Sequence, residues 1–117
     1  MTQPVLDRIL SDYGLMLDLS EDWESEEPLN LSGQDLRNLD FSGAILYKVD
    51  FSNADLRGCN FSRAFLRRSN YQNANIDNVD FSFADLREVN FIRAFCHKLC
   101  LYQADLRCTD VSCIELI

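Results

Sequence analysis

The sequence has little of what most enzymes and ordinary folds rely on: one histidine, two prolines and four glycines in 117 residues. No apolar run approaches the roughly 18 residues of a membrane span. No glycine-rich phosphate loop, zinc-type spacing or serine nucleophile elbow occurs. The opening residues, MTQPVLDRILSDYGLMLDLS, lack the basic start, apolar stretch and small-residue cleavage site of a secretory signal. The five cysteines are odd in number and show no metal-ligand spacing. Free thiols in a reducing, cytoplasmic compartment are the simplest expectation. Catalysis, a metal, a cofactor and a membrane all lack a sequence signal.

Hydrophobic residues make up 47% of the chain, too many for a disordered one and enough for a single modest domain. The net charge is −8 and is unevenly spread. Residues 1–30 carry eight carboxylates against Arg8 alone, whereas residues 31–117 carry 11 acids against 10 bases. The acidity belongs to the leader, and the remainder is close to neutral.

Internal repetition organises that remainder. An aromatic or apolar residue recurs every ten positions at Phe41, Phe51, Phe61, Tyr71, Phe81, Phe91, Leu101 and Val111. Midway between them stand Leu36, Leu46, Leu56, Leu66, Ile76, Leu86, Cys96, Leu106 and Leu116. The unit is therefore five residues, and about eighteen units run from Leu29 to the C-terminus. Two positions before each Leu-type centre the residue is nearly always Ala, as at Ala54, Ala64 and Ala74. Before Phe-type centres it is larger, as at Leu39, Val49 and Val79. Such alternation matches volumes in a close-packed interior.

A period of five fits neither a helix nor a plain strand. It fits a short extended piece followed by a corner, repeated. Centre and inner partner then face the same way, because extended side chains alternate. Gly33, Asn38, Gly43, Asn53, Gly58, Asn73 and Asn78 occupy the second corner position, where a type II turn needs positive φ.

VDFSN (49–53), ADLRG (54–58), CNFSR (59–63), VDFSF (79–83) and ADLRE (84–88) resemble the units of the pentapeptide-repeat family. The resemblance covers about residues 29–117. It implies an all-β solenoid, a right-handed quadrilateral β-helix of about 4.5 coils of twenty residues, roughly 21 Å tall. Phe41, Phe61, Phe81 and Leu101 would stack on one side. Phe51, Tyr71, Phe91 and Val111 would stack opposite. Residues 1–28 would form an N-terminal cap. There Pro4–Tyr13 reads as a short helix, with Val5, Leu6, Ile9, Leu10 and Tyr13 on one face and Gly14 as its stop. An acidic loop, Ser20–Glu27, would follow it. The open C-terminal end would be exposed or paired, and a homodimer through a coil end is one expectation.

The chemical candidates have bland alternatives. Cys96 and His97 are neighbours on extended backbone, so they face opposite ways and cannot form a dyad. Cys59 and Cys96 are expected inside and inert. Cys100, Cys108 and Cys113 are expected outside, as free thiols or with a disulfide among them. Arg67, Arg87 and Arg107 lie twenty apart and could grip phosphates. Asp85 and Asp105 share their side, however, and no nucleic acid is expected.

Large apolar residues at outward positions are more informative. Phe65 and Phe95 stand where Asp is usual, Phe83 at a corner, and Ile92 and Tyr102 where Ser is usual. They form a candidate protein-interaction patch. The expected role is a non-enzymatic interaction or scaffold module with an unidentified protein partner. The resemblance adds an alternative, a DNA-mimic-type binder of a type II topoisomerase (gyrase). The few coils and near-neutral charge of residues 31–117 depart from that type. The resemblance also suggests a bacterial source.

Overall fold

A computed structural model describes residues 1–16 and 28–117. One helix, α1 (Gln3–Met16), precedes the repeats. Regular strands are short: β1 (Val79–Asp80), β2 (Phe95–Cys96), β3 (Leu99–Cys100) and β4 (Glu115–Leu116). β1 pairs in parallel with β3, and β2 with β4. Elsewhere the pairing is by single parallel bridges, each joining residues twenty apart, such as Asn30↔Asp50, Asp40↔Asn60 and Phe65↔Asp85. The chain therefore lies over itself in register every twenty residues, in four ladders.

The hydrogen bonds explain why one bridge per unit suffices. Phe51 donates its N–H to the Asn70 carbonyl at 2.8 Å, and Asn53 to that of Gln72 at 2.9 Å. Asn70 donates back to Val49 at 3.0 Å. Within the unit, Ala54 donates to the Phe51 carbonyl at 3.1 Å and closes the corner as a β-turn. Little backbone polarity is left unpaired between layers.

Every corner residue of this type has left-handed φ, from Gly33 and Asn38 to Gln103 and Cys108, except Lys98 and Cys113. Lys48, Arg63, Arg68, Phe83, Glu88, Arg93, Gln103 and Cys108 hold that conformation without being Gly or Asn. Each of those costs about 1–2 kcal/mol relative to an unstrained backbone. The repeat geometry overrides local preference at these corners. Gly58 has a second reason to be glycine, because a Cβ there would collide with the Asn38 side-chain carbonyl.

Asp or Asn before the centre makes most of the corners. Thirteen of them accept the N–H two residues on, for example Asp50 from Ser52 at 2.9 Å and Asn70 from Gln72 at 2.9 Å. This is the Asx turn, and it accounts for the residue type.

The interior is filled by the centres. Phe41 and Phe61 stack at 4.5 Å, Phe61 and Phe81 at 5.3 Å, Phe51 and Tyr71 at 5.0 Å, and Tyr71 and Phe91 at 5.3 Å. The two columns meet edge to face, as with Phe51 and Phe61 at 5.4 Å. Both arrangements suit the ring quadrupole. Polar inner partners are satisfied locally: the Cys59 thiol donates to the Leu36 carbonyl and the Ser69 hydroxyl to that of Leu46, each at 2.9 Å. Thr109 does the same to Leu86.

The two ends differ. Leu6 of α1 is fully buried against the first layer. The Gln3 side-chain amide both donates to and accepts from the Asp40 backbone, at 3.0 and 2.8 Å, and the Met1 amine donates to the Asp35 carbonyl. The helix thus stands where a preceding layer would pair. It runs past Gly14, contrary to the sequence expectation, because a lone glycine costs only about 1 kcal/mol inside a helix. Val5 is exposed rather than inward, since the helix contacts the layer through Leu6 and Leu10. The expected acidic loop lies outside the described residues.

At the other end Leu101 is only partly buried and Val111 is 37% exposed. This corrects the expectation that Val111 belongs to the packed column. Its ladder runs from Asn30 to Asn90 and has no bridge to Asp110, and a valine is too small to rest on the Phe91 ring with nothing above it.

A candidate protein-interaction surface

The outward candidates separate into two groups. Phe65 lies on the ladder Ile45–Phe65–Asp85–Asp105, and Phe95 on the ladder Asp35–Asp55–Asn75–Phe95, two ladders away. Phe83 and Tyr102 occupy the corner that leads into the Phe65 ladder, where Phe83 N–H donates to the Tyr102 carbonyl at 2.9 Å. Ile92 occupies the corner that leads into the Phe95 ladder. The five residues thus form two surfaces, not the single patch expected from their composition. The register of twenty already separates them.

The first group is the better built. Phe65, Phe83 and Tyr102 are 45, 46 and 61% exposed. Phe83 and Tyr102 meet edge to face at 5.5 Å, and the Arg63 guanidinium lies 5.5 Å from the Phe83 ring centre. Ile45, also exposed, extends this surface toward α1 and was missed in the sequence. Its signal was available: like Phe65, it stands where an Asx residue would make the corner. Phe95 is only partly buried and Ile92 is exposed, but they have no aromatic partner among the described residues.

Charged residues around these surfaces are mostly folded onto one another. Arg37, Arg57, Arg87 and Arg107 each grip the Asp two residues earlier through a two-bonded fork, for example Arg87 to Asp85 at 2.8 and 2.7 Å. The fork holds the Asp85 and Asp55 carboxyls below the usual carboxylate range. Arg67 and Arg68 both bind Glu88, at 3.1 and 2.6 Å. The row Arg67, Arg87, Arg107 is therefore neutralised locally rather than free for phosphates.

Cys96 is fully buried, and burial pushes its thiol pKa up, so it is not a thiolate. Burial pushes Cys59 up to about 12. His97 is exposed and lies 3.6 Å from Asp77. Asp77 was not singled out in the sequence, yet its Oδ1 accepts the N–H groups of both His97 and Lys98, at 2.9 and 3.0 Å. Asn78 then donates to the Lys98 carbonyl instead of that of His97, and Lys98 escapes left-handed φ. The residues are positioned as a structural break in the repeat. Cys100 and Cys108 are exposed, Cys113 is half-buried, and all five cysteines are free. Among the described residues no group of side chains could hold a metal, and no helix is long and apolar enough to cross a membrane.

The family model for pentapeptide repeats matches eight copies, over residues 29–63, 54–91 and 69–107. The chain belongs to the pentapeptide-repeat family. Proteins of this family are generally structural or binding modules. No curated protein matches the sequence.

Proposed function

We propose that this chain is a non-enzymatic protein-interaction module that presents the Phe65–Phe83–Tyr102 surface to a protein partner. Its layers are read as closing into the right-handed, four-sided β-helix typical of the family, built from residues 29–117, with residues 1–28 as the cap. Four parallel ladders and two interlocked ring columns support that reading. The five free thiols support a cytoplasmic home.

One observation carries the interaction surface: two repeat rules are broken side by side. Phe65 replaces a corner-making Asx residue, and Phe83 is an aromatic held at φ 59° where Gly and Asn are at ease. Both substitutions cost folding free energy and expose apolar rings, so their role lies outside the fold.

The test uses Phe65→Asn with Phe83→Asn, which restores both rules. This variant is expected to fold at least as stably as the wild type and to lose a protein retained by the wild-type chain on affinity capture from the source cells. Equal retention of every captured protein would end the proposal.

A further inference from the structure

The same surface carries a charge asymmetry that specifies its partner, provided it is an interaction surface at all. The face of the Ile45–Phe65–Asp85–Asp105 ladder is bordered by two corners, one at Gly43, Arg63, Phe83 and Gln103, the other at Lys48, Arg68, Glu88 and Cys108. Among the described residues, and together with Arg67, Arg87 and Arg107, this region holds six of the 10 bases of residues 31–117, against Asp85, Glu88, Asp105 and, beside Ile45, Asp7. Lys48 and Arg68 have interactions of their own, which leaves the weight of the argument on Arg63. The face two ladders away is balanced, its Arg37 and Arg57 forked onto Asp35 and Asp55.

Arg63 is the informative cation. It stacks on Phe83 and has no carboxylate partner among the described residues. A guanidinium poised over an aromatic ring and beside two further exposed apolar rings offers a charge-assisted hydrogen bond next to an apolar seat. We propose that this face binds a short acidic segment of a partner protein in which apolar side chains alternate with carboxylates. A carboxylate pairs with Arg63, and neighbouring apolar side chains cover Phe65, Phe83 and Tyr102.

A nucleic-acid strand suits this face less well. It carries a charge at every nucleotide and would run past Asp85, Glu88 and Asp105, on a chain that is negative overall. A peptide of this kind sets one carboxylate at Arg63 and lays the apolar side chains between its carboxylates on the rings.

The experiment is fluorescence anisotropy on the full chain with a labelled ELEWELE peptide in 50 mM salt. KLKWKLK, ESESESE and a decathymidylate serve as comparisons. ELEWELE is expected to bind at least about tenfold tighter than each of the three, and more weakly in 300 mM salt. Phe83→Asn, which suits the left-handed corner and so keeps the fold, is expected to weaken binding about tenfold, and Arg63→Gln about fivefold.

KLKWKLK or the decathymidylate binding as tightly as ELEWELE would overturn the proposal. So would binding that ignores both substitutions. Self-association that disappears in Phe83→Asn would name a second copy as the occupant and also overturn it. If ELEWELE fails to bind while affinity capture still depends on Phe65 and Phe83, the acidic chemistry falls and the interaction surface stands. If capture fails too, both fall.

Discussion

The middle layers and the last one are built from the same five-residue unit, yet only the middle is fully packed. Between Phe41 and Phe91 every ring has a stacked neighbour in its own column and an edge-on neighbour from the other. In the last layer the centres shrink to Leu101 and Val111, the bridge at Asp110 is missing, and Val111 reaches solvent. The unit alone therefore does not make a core position. A centre is buried only when it is covered on both sides, by another layer or, at the first layer, by α1, as expected for a stack whose stability is largely a sum of neighbour contacts.

Cavity formation gives the largest contrast. Phe61→Ala is expected to cost about 3–5 kcal/mol, whereas Val111→Ala should cost less than about 1 kcal/mol. Urea unfolding of the two variants checks this, and equal losses would erase the distinction between middle and end.

Tyr71 sharpens the picture of the middle. It replaces Phe in a fully buried column, and its hydroxyl meets no protein partner among the described residues. Burial pushes its ionisation well above the ordinary tyrosine value. Tyr71→Phe should raise stability by about 1–2 kcal/mol, read from the urea midpoint. A drop would mean that the hydroxyl is better satisfied than the geometry indicates.

Acid tests the corners. Hydrogen bonds from Arg57, Ser82 and Arg87 lower the carboxyls of Asp55, Asp80 and Asp85. Their contribution is present above the unfolded value of about 3.9 and is lost as pH falls through the lowered values. The midpoint should therefore hold between about pH 7 and 5 and fall below about pH 4. Asp85→Asn should remove more of that acid loss than Asp110→Asn, because the Asp110 pair in the last layer is screened by water. A stability that rises on acidification would reverse the sign of the argument.

Thiol chemistry draws the same boundary without changing stability. Cys100 and Cys108 should react with a thiol reagent in the folded chain, and Cys59 and Cys96 only after unfolding. Fast labelling of Cys96 would move the edge of the packed region inward.

The register of the layers was legible because the period is strict. One residue in five is large, its inner partner compensates in volume, and Gly or Asn marks many corners. Three features were hidden for physical reasons. Eight corners keep left-handed φ without Gly or Asn, so residue type alone under-reports them. Asp77 looks like any exposed acid until the next layer places two amides against it. Val111 obeys the period and fails only for lack of a neighbour. At the interaction surface the apolar outliers were visible residue by residue. The Arg63–Phe83 stacking was not, because the register sets one corner above the other but leaves open which way each long side chain turns.

Gln3 has a consequence for assembly. By mimicking a peptide group against Asp40, it occupies a docking point that a second molecule's last layer would need for head-to-tail growth. Whatever approaches the first layer along the column axis meets a helix already bonded to Asp35 and Asp40 rather than open peptide groups.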